Sequence, residues 1–383
     1  MSSELHCGTD SHAAREMKPM TRYPQQPLKI TSPWDGDVLN RHDGEETDDG
    51  LTITIEGTAP TDEEVVVAGM PASRDGAAFS AEITLSAPRT TVVAECRSGS
   101  DSVRLIYDRR SRKRYRFSLD DNILFLRDLA RDMPGSIFDH WYLAFWREMN
   151  ERFGAKIHVN IYYQCEGFIL PEMHDHWREE WAANADWLHL SFHGLQNEPA
   201  WIYRNAPGRR IARDFEMVTD EIERFATLEV TGNTTTVHWA EATREGCVAL
   251  RERGIDRLVA LPGLHPDGSP KTSYYLDAPH VRRLTERDAW WDADTDIIFI
   301  ACDEVVNSYS VAEVTEVLDE QGQSPHTSEL IELLIHEQYF REELMHYQPD
   351  VKDKVIASLE WVTDRGYEPC FWSDGLLGNT WGW

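Results

Sequence analysis

From Tyr115 onward, short apolar runs with the period of a β-strand alternate with longer runs that have the period of a helix. This alternation is typical of parallel βα units, in which a helix returns the chain to the same edge of the sheet after each strand. Seven or eight units favour a (β/α) barrel, complete or incomplete, over the competing open doubly wound sheet. The predicted strands are Tyr115–Asp120, Lys156–Tyr163, Trp187–His193, Thr234–His238, Arg257–Leu261, Asp296–Ala301, Leu330–His336 and Pro369–Trp372.

Helical periodicity fills most of the intervals between these strands. Gly154, Gly254 and Gly366 each stand where a helix is expected to stop before a strand. Residues 261–278 instead contain two Pro/Gly turn signals and predict a long loop or an inserted hairpin. The predicted helices are Ile123–Phe153 with a break at Pro134-Gly135, Pro171–Ala183, Arg209–Thr227, Glu241–Arg253, Val311–Gln321 and Asp350–Arg365.

The first part of the chain has a different pattern, with short alternating runs separated by turn signals over residues 27–108. This spacing predicts an all-β sandwich. Its order of signals, beginning at Ser32-Pro33-x-Asp35-Gly36, resembles the immunoglobulin-like modules attached to carbohydrate-active enzymes. We therefore expect a multi-domain chain with a flexible arm over residues 1–26, a sandwich over 27–108, a charged connector and a barrel over 115–383.

The charge balance limits the partners of this protein. The formal net charge is −29, which disfavours nucleic acids and anionic membranes because phosphate groups attract Lys and Arg. No apolar run approaches the length of a membrane helix, and residues 1–22 lack the apolar core of a signal peptide, so we expect a cytoplasmic protein. The six cysteines are scattered without a CxxC pair, which argues against a disulfide framework or a zinc knuckle.

Ionisable side chains recur at the ends of the predicted barrel strands. Asp120 and Asp121 end the first strand, and His193, His238 and His336 end three later ones. In a parallel barrel these ends converge on one mouth. One carboxylate with two imidazoles is a common set of ligands for zinc or another divalent ion, and a metal held there lowers the pKa of bound water and polarises a carbonyl.

Further candidates lie near the same mouth. Glu241 opens a helix directly after a strand and is either a partner of the helix dipole or an active-site acid. Glu304 follows the sixth strand and is a further candidate acid. Trp239 is a candidate platform for a sugar ring, although core packing accounts for most tryptophans. The sequence lacks the signature motifs of dinucleotide-binding, P-loop, serine-hydrolase and zincin sites.

Two of these segments resemble motifs of the polysaccharide deacetylase family. Phe117-Ser-Leu-Asp-Asp-Asn122 is similar to the family's opening Thr-Phe-Asp-Asp-Gly strand, and Leu333-Leu-Ile-His336 to its closing Leu-Leu-His-Asp strand. The family has a partly open (β/α)₇ barrel and removes acetyl groups from N-acetylated sugars with a metal ion. The resemblance implies that Asp120 is the general base, Asp121 and His193 bind the metal, and His336 is the general acid.

The chain departs from the family pattern at two positions. Asn122 replaces the glycine of the opening motif, and Asn197 stands where the middle His-x-x-x-His motif has its second histidine. We expect His238, at the end of the next strand, to supply the missing ligand.

The leading prediction is a metal-dependent hydrolase that removes acyl groups from a carbohydrate. The expected metal is a divalent ion, with zinc as the first candidate. One alternative is a metal-free glycoside hydrolase that uses two carboxylates among Asp120, Asp121, Glu241, Glu304 and Glu337. The other is a carbohydrate-binding protein with a degenerate, non-catalytic barrel.

Overall fold

The computed structural model describes residues 27–374 and residue 377. The predicted N-terminal arm, residues 1–26, lies outside the described part of the chain. Within that part, no helix is both long enough and apolar enough to cross a membrane.

Residues 29–107 form two five-stranded sheets that enclose one apolar core. In strand Gly50–Thr58 the alternate residues Leu51, Ile53 and Ile55 are buried, as expected when one face of a strand meets a core. One sheet contains Lys29–Ser32, Glu45–Thr47, Gly50–Thr58, Ser73–Asp75 and Ala78–Leu85, and the other contains Val38–Leu39, Val66–Val67, Met70–Pro71, Arg89–Cys96 and Gly99–Tyr107.

The rest of the described chain is built around seven parallel strands. They are β1 (Arg114–Asn122), β2 (Ile157–Tyr162), β3 (Leu188–Gly194), β4 (Thr234–Thr235), β5 (Arg257–Leu264), β6 (Ile297–Ala301) and β7 (Leu330–His336). Their pairing gives one sheet in the order β3-β2-β1-β7 and another in the order β4-β5-β6.

Hydrogen bonds join the edges of the two parallel sheets. The Thr235 hydroxyl donates to the Phe192 carbonyl between β4 and β3. On the other side, Glu304–Val305 continues from β6 and pairs with β7. The seven strands therefore close into an α/β barrel whose ladder is interrupted between β3 and β4 and between β6 and β7.

The helices pack around this barrel and bury the outward-facing side chains of the strands. Glycines with positive φ end two of them, since Gly154 has φ 67° and Gly366 has φ 74°. The helices are α1 (Leu124–Asp132), α2 (Trp141–Phe153), α3 (Arg178–Ala183), α4 (Gly208–Phe225), α5 (Arg244–Arg251), α6 (Ala278–Arg287), α7 (Val311–Gln321) and α8 (Val351–Asp364).

Short elements complete the barrel domain. The additional strands are Gln164–Cys165, Phe168–Ile169, Pro270–Thr272, Ala289–Asp292 and Glu368–Pro369, and the 3₁₀ turns are Ile137–Asp139, Leu170–Glu172, Leu228–Val230, His238–Ala240, Val306–Ser308 and Glu337–Phe340. Pro270–Thr272 pairs antiparallel with β5, so the predicted long loop does contain a hairpin.

Three predicted elements differ from the structure. Pro369–Trp372 is wrong as an eighth wall strand, because only Glu368–Pro369 pairs with β1 and the Trp372 indole N–H donates to Glu332 inside the barrel, 2.7 Å away. The helix predicted from Pro171 begins only at Arg178, after a 3₁₀ turn. The fourth strand ends at Thr235, and His238 lies in a 3₁₀ turn beyond it.

Alternation along β1 separates the two faces of the barrel wall. Tyr115, Phe117 and Leu119 pack outward in the apolar core with the helices. Arg116 points inward and forms an ion pair with Glu332 of β7, and both side chains are fully buried. Asp120, two residues beyond Ser118 on this inner face, therefore reaches the carboxyl end of the barrel interior.

Ion pairs fix the sandwich against the barrel. Asp37, which is fully buried, accepts from Arg283 of α6 at 2.7 Å. Arg287 of the same helix pairs with Asp43 at 2.7 Å. These contacts lie at α6, so the sandwich supports the flank of the barrel.

Candidate metal centre

A cavity of about 440 Å³ opens at the carboxyl ends of the barrel strands. This is the end at which active sites of parallel barrels lie. Five of the six predicted site residues line it: Asp120, Asp121, His193, His238 and His336.

A break in the regular pairing of β1 brings both aspartates into this cavity. Consecutive strand residues normally face opposite sides. The β1–β2 register shifts between Leu119 and Asn122, and Asp121 has a positive φ of 60°. A left-handed backbone is uncommon for a residue with a side chain and is concentrated at functional sites. Asn122 is buried, and its side-chain amide donates to the Asp120 carbonyl at 2.9 Å.

Asp121, His193 and His238 form a compact group of ligand atoms. One ligand atom from each lies within 4.8 Å of the other two. Asp121 Oδ1 is 3.1 Å from His193 Nε2 and 3.7 Å from His238 Nε2. Two imidazole nitrogens and one carboxylate oxygen at this spacing can converge on one cation, since metal–ligand bonds are about 2 Å long.

The hydrogen bond on the far side of His193 fixes its tautomer. Nδ1 is 2.6 Å from the carbonyl oxygen of Thr236. A carbonyl only accepts, so Nδ1 carries the proton, and in the neutral ring Nε2 then presents a lone pair to Asp121 Oδ1. Two acceptors at 3.1 Å need a proton or a metal ion between them. A backbone carbonyl behind a ligating imidazole is also the usual outer-shell arrangement at metal sites.

Burial and neighbouring charges shift the pKa values of the three ligand residues in different directions. Burial would raise the pKa of Asp121, but the hydrogen bond that the protonated His193 ring donates and the charges of the nearby imidazoles outweigh it and hold this pKa well below its usual value. Burial alone would lower the pKa of His193, but Asp120 and Asp121 raise it. Burial and the charge of His193 lower the pKa of His238 to about 3, so its ring is neutral and available as a ligand at neutral pH.

Two further side chains hold Asp121 in place. The Tyr162 hydroxyl donates to Asp121 Oδ1, and Gln338 Nε2 donates to Oδ2 at 2.9 Å. The sequence reasoning did not single out either residue. Tyr162 is the last residue but one of the predicted strand Lys156–Tyr163, so its position near the strand end was a usable signal. Gln338 lies beyond β7, where strand periodicity no longer predicts the direction of a side chain.

Asp120 is buried and is held by a side-chain network. Asn160 Nδ2 donates to Asp120 Oδ1 at 2.6 Å, while Asn160 Oδ1 accepts from the hydroxyls of Ser191 and Thr235. Burial raises the pKa of Asp120, although His193, His336 and the Asn160 hydrogen bond act in the opposite direction. A carboxylate with a raised pKa is suited to accept a proton. Asn160 was also missed, although a polar residue inside the apolar run of β2 was a usable signal.

His336 also lines the cavity and is oriented by Asn307. Its Nδ1 is 2.8 Å from Asn307 Oδ1, an acceptor, so Nδ1 carries a proton. The other ring nitrogen is left for a group in the cavity. Asp120 and His336 are aligned in register on neighbouring strands β1 and β7.

Two other candidate acids, Glu241 and Glu337, are held in ion pairs with arginines. Glu241 is paired with Arg204 at 2.8 Å and does not line the cavity, so the structure does not bring this predicted catalytic residue into the site. Glu337 is fully buried, where it accepts from the backbone N–H groups of Ile123 and Leu124 and pairs with Arg341. Glu198 also lines the cavity, together with Asp120 and Asp121.

The donor set fits a divalent metal ion. Asp121, His193 and His238 offer one oxygen and two nitrogens, the His193 tautomer is fixed for coordination, and the cavity leaves room for water and substrate. Zinc is commonly bound by three such ligands at catalytic sites.

The chain has only distant similarity to known proteins. No protein-family profile matches the sequence, and no curated protein matches it. Among solved structures, a 4-α-glucanotransferase from Thermococcus litoralis aligns over 68% of this chain and 39% of its own length, with 12% identity and a TM-score of 0.43. The chain thus spans well under half of that enzyme.

Two other matches concern deacetylase-type proteins. A protein from Mycobacterium smegmatis, assigned as a polysaccharide deacetylase, aligns over 68% of this chain and 93% of its own with 10% identity and a TM-score of 0.37. A CE4 family pseudoenzyme from Bacillus anthracis aligns over 69% and 66% with 11% identity and a TM-score of 0.31. All three scores are below 0.5, so none of these likenesses assigns an activity to the chain.

Proposed function

We propose that this protein is a metal-dependent hydrolase that removes acyl groups from a carbohydrate. The observation that carries the proposal is the convergence of Asp121, His193 and His238 at the mouth of a parallel barrel, with ligand atoms within 4.8 Å. Asp120 and His336, which line the same cavity from neighbouring strands, support a reaction with a separate base and acid.

A divalent ion held by Asp121, His193 and His238 would supply a Lewis acid for a carbonyl oxygen and would lower the pKa of a water. Asp120 accepts the proton of the attacking water, and Asn160 orients Asp120 for that transfer. The water oxygen adds to the acyl carbon, and the bond from that carbon to the sugar nitrogen or oxygen breaks. His336 donates the proton that the leaving sugar atom needs. Tyr162 and Gln338 keep the Asp121 carboxylate in its position.

The experiment measures release of acetate from acetylated oligosaccharides, with N-acetylated and O-acetylated chains as separate substrates. We expect activity that is lost on chelation and restored by zinc. Asp120→Asn should abolish turnover while leaving bound metal unchanged, because Asp120 is not in the ligand group. Glu241→Gln is the matched control, since it removes a carboxylate outside the cavity, and it should retain most activity.

Other outcomes identify the alternatives. Activity that survives exhaustive chelation, on glycosidic bonds and not on acetyl groups, would replace the proposal with the metal-free glycoside hydrolase. Glycan binding without turnover under any added divalent metal would indicate the non-catalytic carbohydrate-binding protein.

A further inference from the structure

A second groove of about 590 Å³ adjoins the cavity on the side of α4. Trp239 lines the cavity, and Trp201 lines the groove. Their ring centroids are 5.6 Å apart, and each side chain is 44% exposed. The two indoles, tilted at 54° to each other, therefore place neighbouring aromatic rings between the cavity and the groove.

The backbone holds Trp239 in an uncommon conformation. Trp239 has φ 63° and Ala240 has φ 47°, so two consecutive residues with side chains are left-handed. Such a conformation is unfavourable for residues with side chains and persists where the surroundings impose it, often at ligand sites. Large apolar rings are normally buried, and here the strain accompanies an indole that remains open to solvent beside the cavity.

The groove is rich in arginine, although the chain as a whole is strongly acidic. Arg209, Arg210 and Arg213 line it, and Arg204 lies 4.4 Å from the ring centre of Trp201. A cluster of guanidinium groups in a chain of net charge −29 is a local reversal of sign. It favours negatively charged ligands by attraction over short distances.

Carboxylates neutralise part of this cluster. The buried Asp214 accepts from Arg210 and Arg213, and Glu241 accepts from Arg204. Arg209 is exposed, and in the part of the chain that the structure describes no carboxylate lies within 4.0 Å of it. Its guanidinium is therefore open to a ligand, and Arg213 remains 57% exposed in spite of its ion pair.

Glu245, which is exposed, packs beside Gly208 at the start of α4. Arg244, its neighbour in sequence, is also exposed. This adjacent pair of opposite charges adds no net charge at the edge of the groove.

We propose that the groove binds the continuation of a polymeric carbohydrate whose sugars carry carboxylate or sulfate groups. Trp201 and Trp239 supply flat apolar faces on which sugar rings stack. Arg209 and Arg213 supply planar donors that match the paired oxygens of a carboxylate or sulfate. This inference rests on the proposed function only for placing a carbohydrate in the adjoining cavity.

Binding is measured on the full chain by calorimetry in buffer with EDTA, so that metal-dependent turnover does not consume the ligand. The probes are tetragalacturonate, a sulfated carrageenan tetrasaccharide and neutral cellotetraose. We expect at least one anionic probe to bind about tenfold more tightly than cellotetraose at low salt, and this preference to shrink as salt screens the charges. The probe that is preferred identifies carboxylate or sulfate as the recognised group.

Variants distinguish the contribution of the arginines from that of the tryptophans. Arg209→Glu should remove the preference for anionic probes and leave the affinity for cellotetraose unchanged. It should also leave folding unchanged, because no carboxylate among the described residues lies within 4.0 Å of Arg209. Trp201→Ala should lower the affinity for all three probes to a similar degree, by about tenfold. Arg282→Glu is the matched control: it reverses an exposed arginine on α6 and should bind like wild type.

Equal affinity for anionic and neutral probes would overturn the inference, and so would an Arg209→Glu variant that keeps the anionic preference. These results are independent of the proposed reaction. A preference for anionic chains without acetate release would refute the hydrolase and leave the groove assignment intact. Acetate release with no such preference would refute the groove assignment alone.

Discussion

Glu304 is a buried carboxyl group whose cost to the folded state can be measured. Its side chain is 1% exposed, and neither carboxyl oxygen has a hydrogen-bond partner in the described part of the chain. Glu304 pairs in register with Leu333, whose side chain packs with the helices, so Glu304 also faces the helix layer. Burial, with a smaller effect of Asp303, raises the pKa of Glu304 from 4.5 to about 8.

The raised pKa gives stability a defined pH dependence. The unfolded chain loses the Glu304 proton near pH 4.5, whereas the folded chain keeps it up to about pH 8. The contribution of Glu304 to stability is therefore fully present below pH 4.5 and is lost as the pH rises towards 8. Each pH unit in this window is worth about 1.4 kcal/mol, so two units change the free energy of unfolding by about 3 kcal/mol.

Glu304→Gln removes this titration and keeps the size of the side chain. We expect its free energy of unfolding, relative to wild type, to rise by about 3 kcal/mol between about pH 5.5 and about pH 7.5. Urea denaturation followed by tryptophan fluorescence measures it at each pH. Glu316→Gln, an exposed change on α7, should differ from wild type by a few tenths of a kcal/mol at all pH values. A Glu304→Gln difference that stays constant with pH would refute the assignment of a protonated Glu304.

Two further predictions concern the site and the support of the barrel. Asn160→Ala removes the hydrogen-bond donor to Asp120, and a hydrogen bond to a charged group is worth ~1.5–3 kcal/mol. The acidic limb of the pH–rate profile should therefore move up by at least one pH unit, while bound metal stays unchanged. An acidic limb at the wild-type pH would contradict the role of Asn160. Asp37→Ala leaves Arg283 with only the exposed Glu286, 3.6 Å away, as an ion-pair partner in the described part of the chain, and it should lower the free energy of unfolding by about 3–5 kcal/mol. Asp37→Ala/Arg283→Met should recover most of that loss. An Asp37→Ala protein as stable as wild type would show that the pair does not support the barrel.

The sequence pattern was sufficient to predict the convergence of the main site residues. Period-2 alternation placed Asp120 and His336 at the ends of parallel strands, and parallel strands bring their ends to one mouth. His238 reaches the cavity although its strand stops at Thr235, because the following 3₁₀ turn keeps it at the same rim. That placement brings a second imidazole to the ligand atoms of Asp121 and His193, as expected from the sequence.

Features that depend on distant residues were not accessible from local patterns. Glu241 opens a segment after a strand, as an active-site acid would, but Arg204 from an earlier loop pairs with it. Phe371 and Trp372 have the apolar character of a strand, yet Phe371 stacks on His189 with ring centroids 3.5 Å apart. In both cases the partner is far away in the sequence, and periodicity carries no information about it.

The central claim is that Asp121, His193 and His238 together hold one metal ion, and metal content measures this most directly. Elemental analysis of the protein after dialysis against zinc should give about one zinc per chain for wild type. Asp121→Ala, His193→Ala and His238→Ala should each lose most of that zinc, while Asp120→Asn and Glu241→Gln should retain it. Full zinc occupancy in the three ligand variants, or none in wild type, would contradict the account.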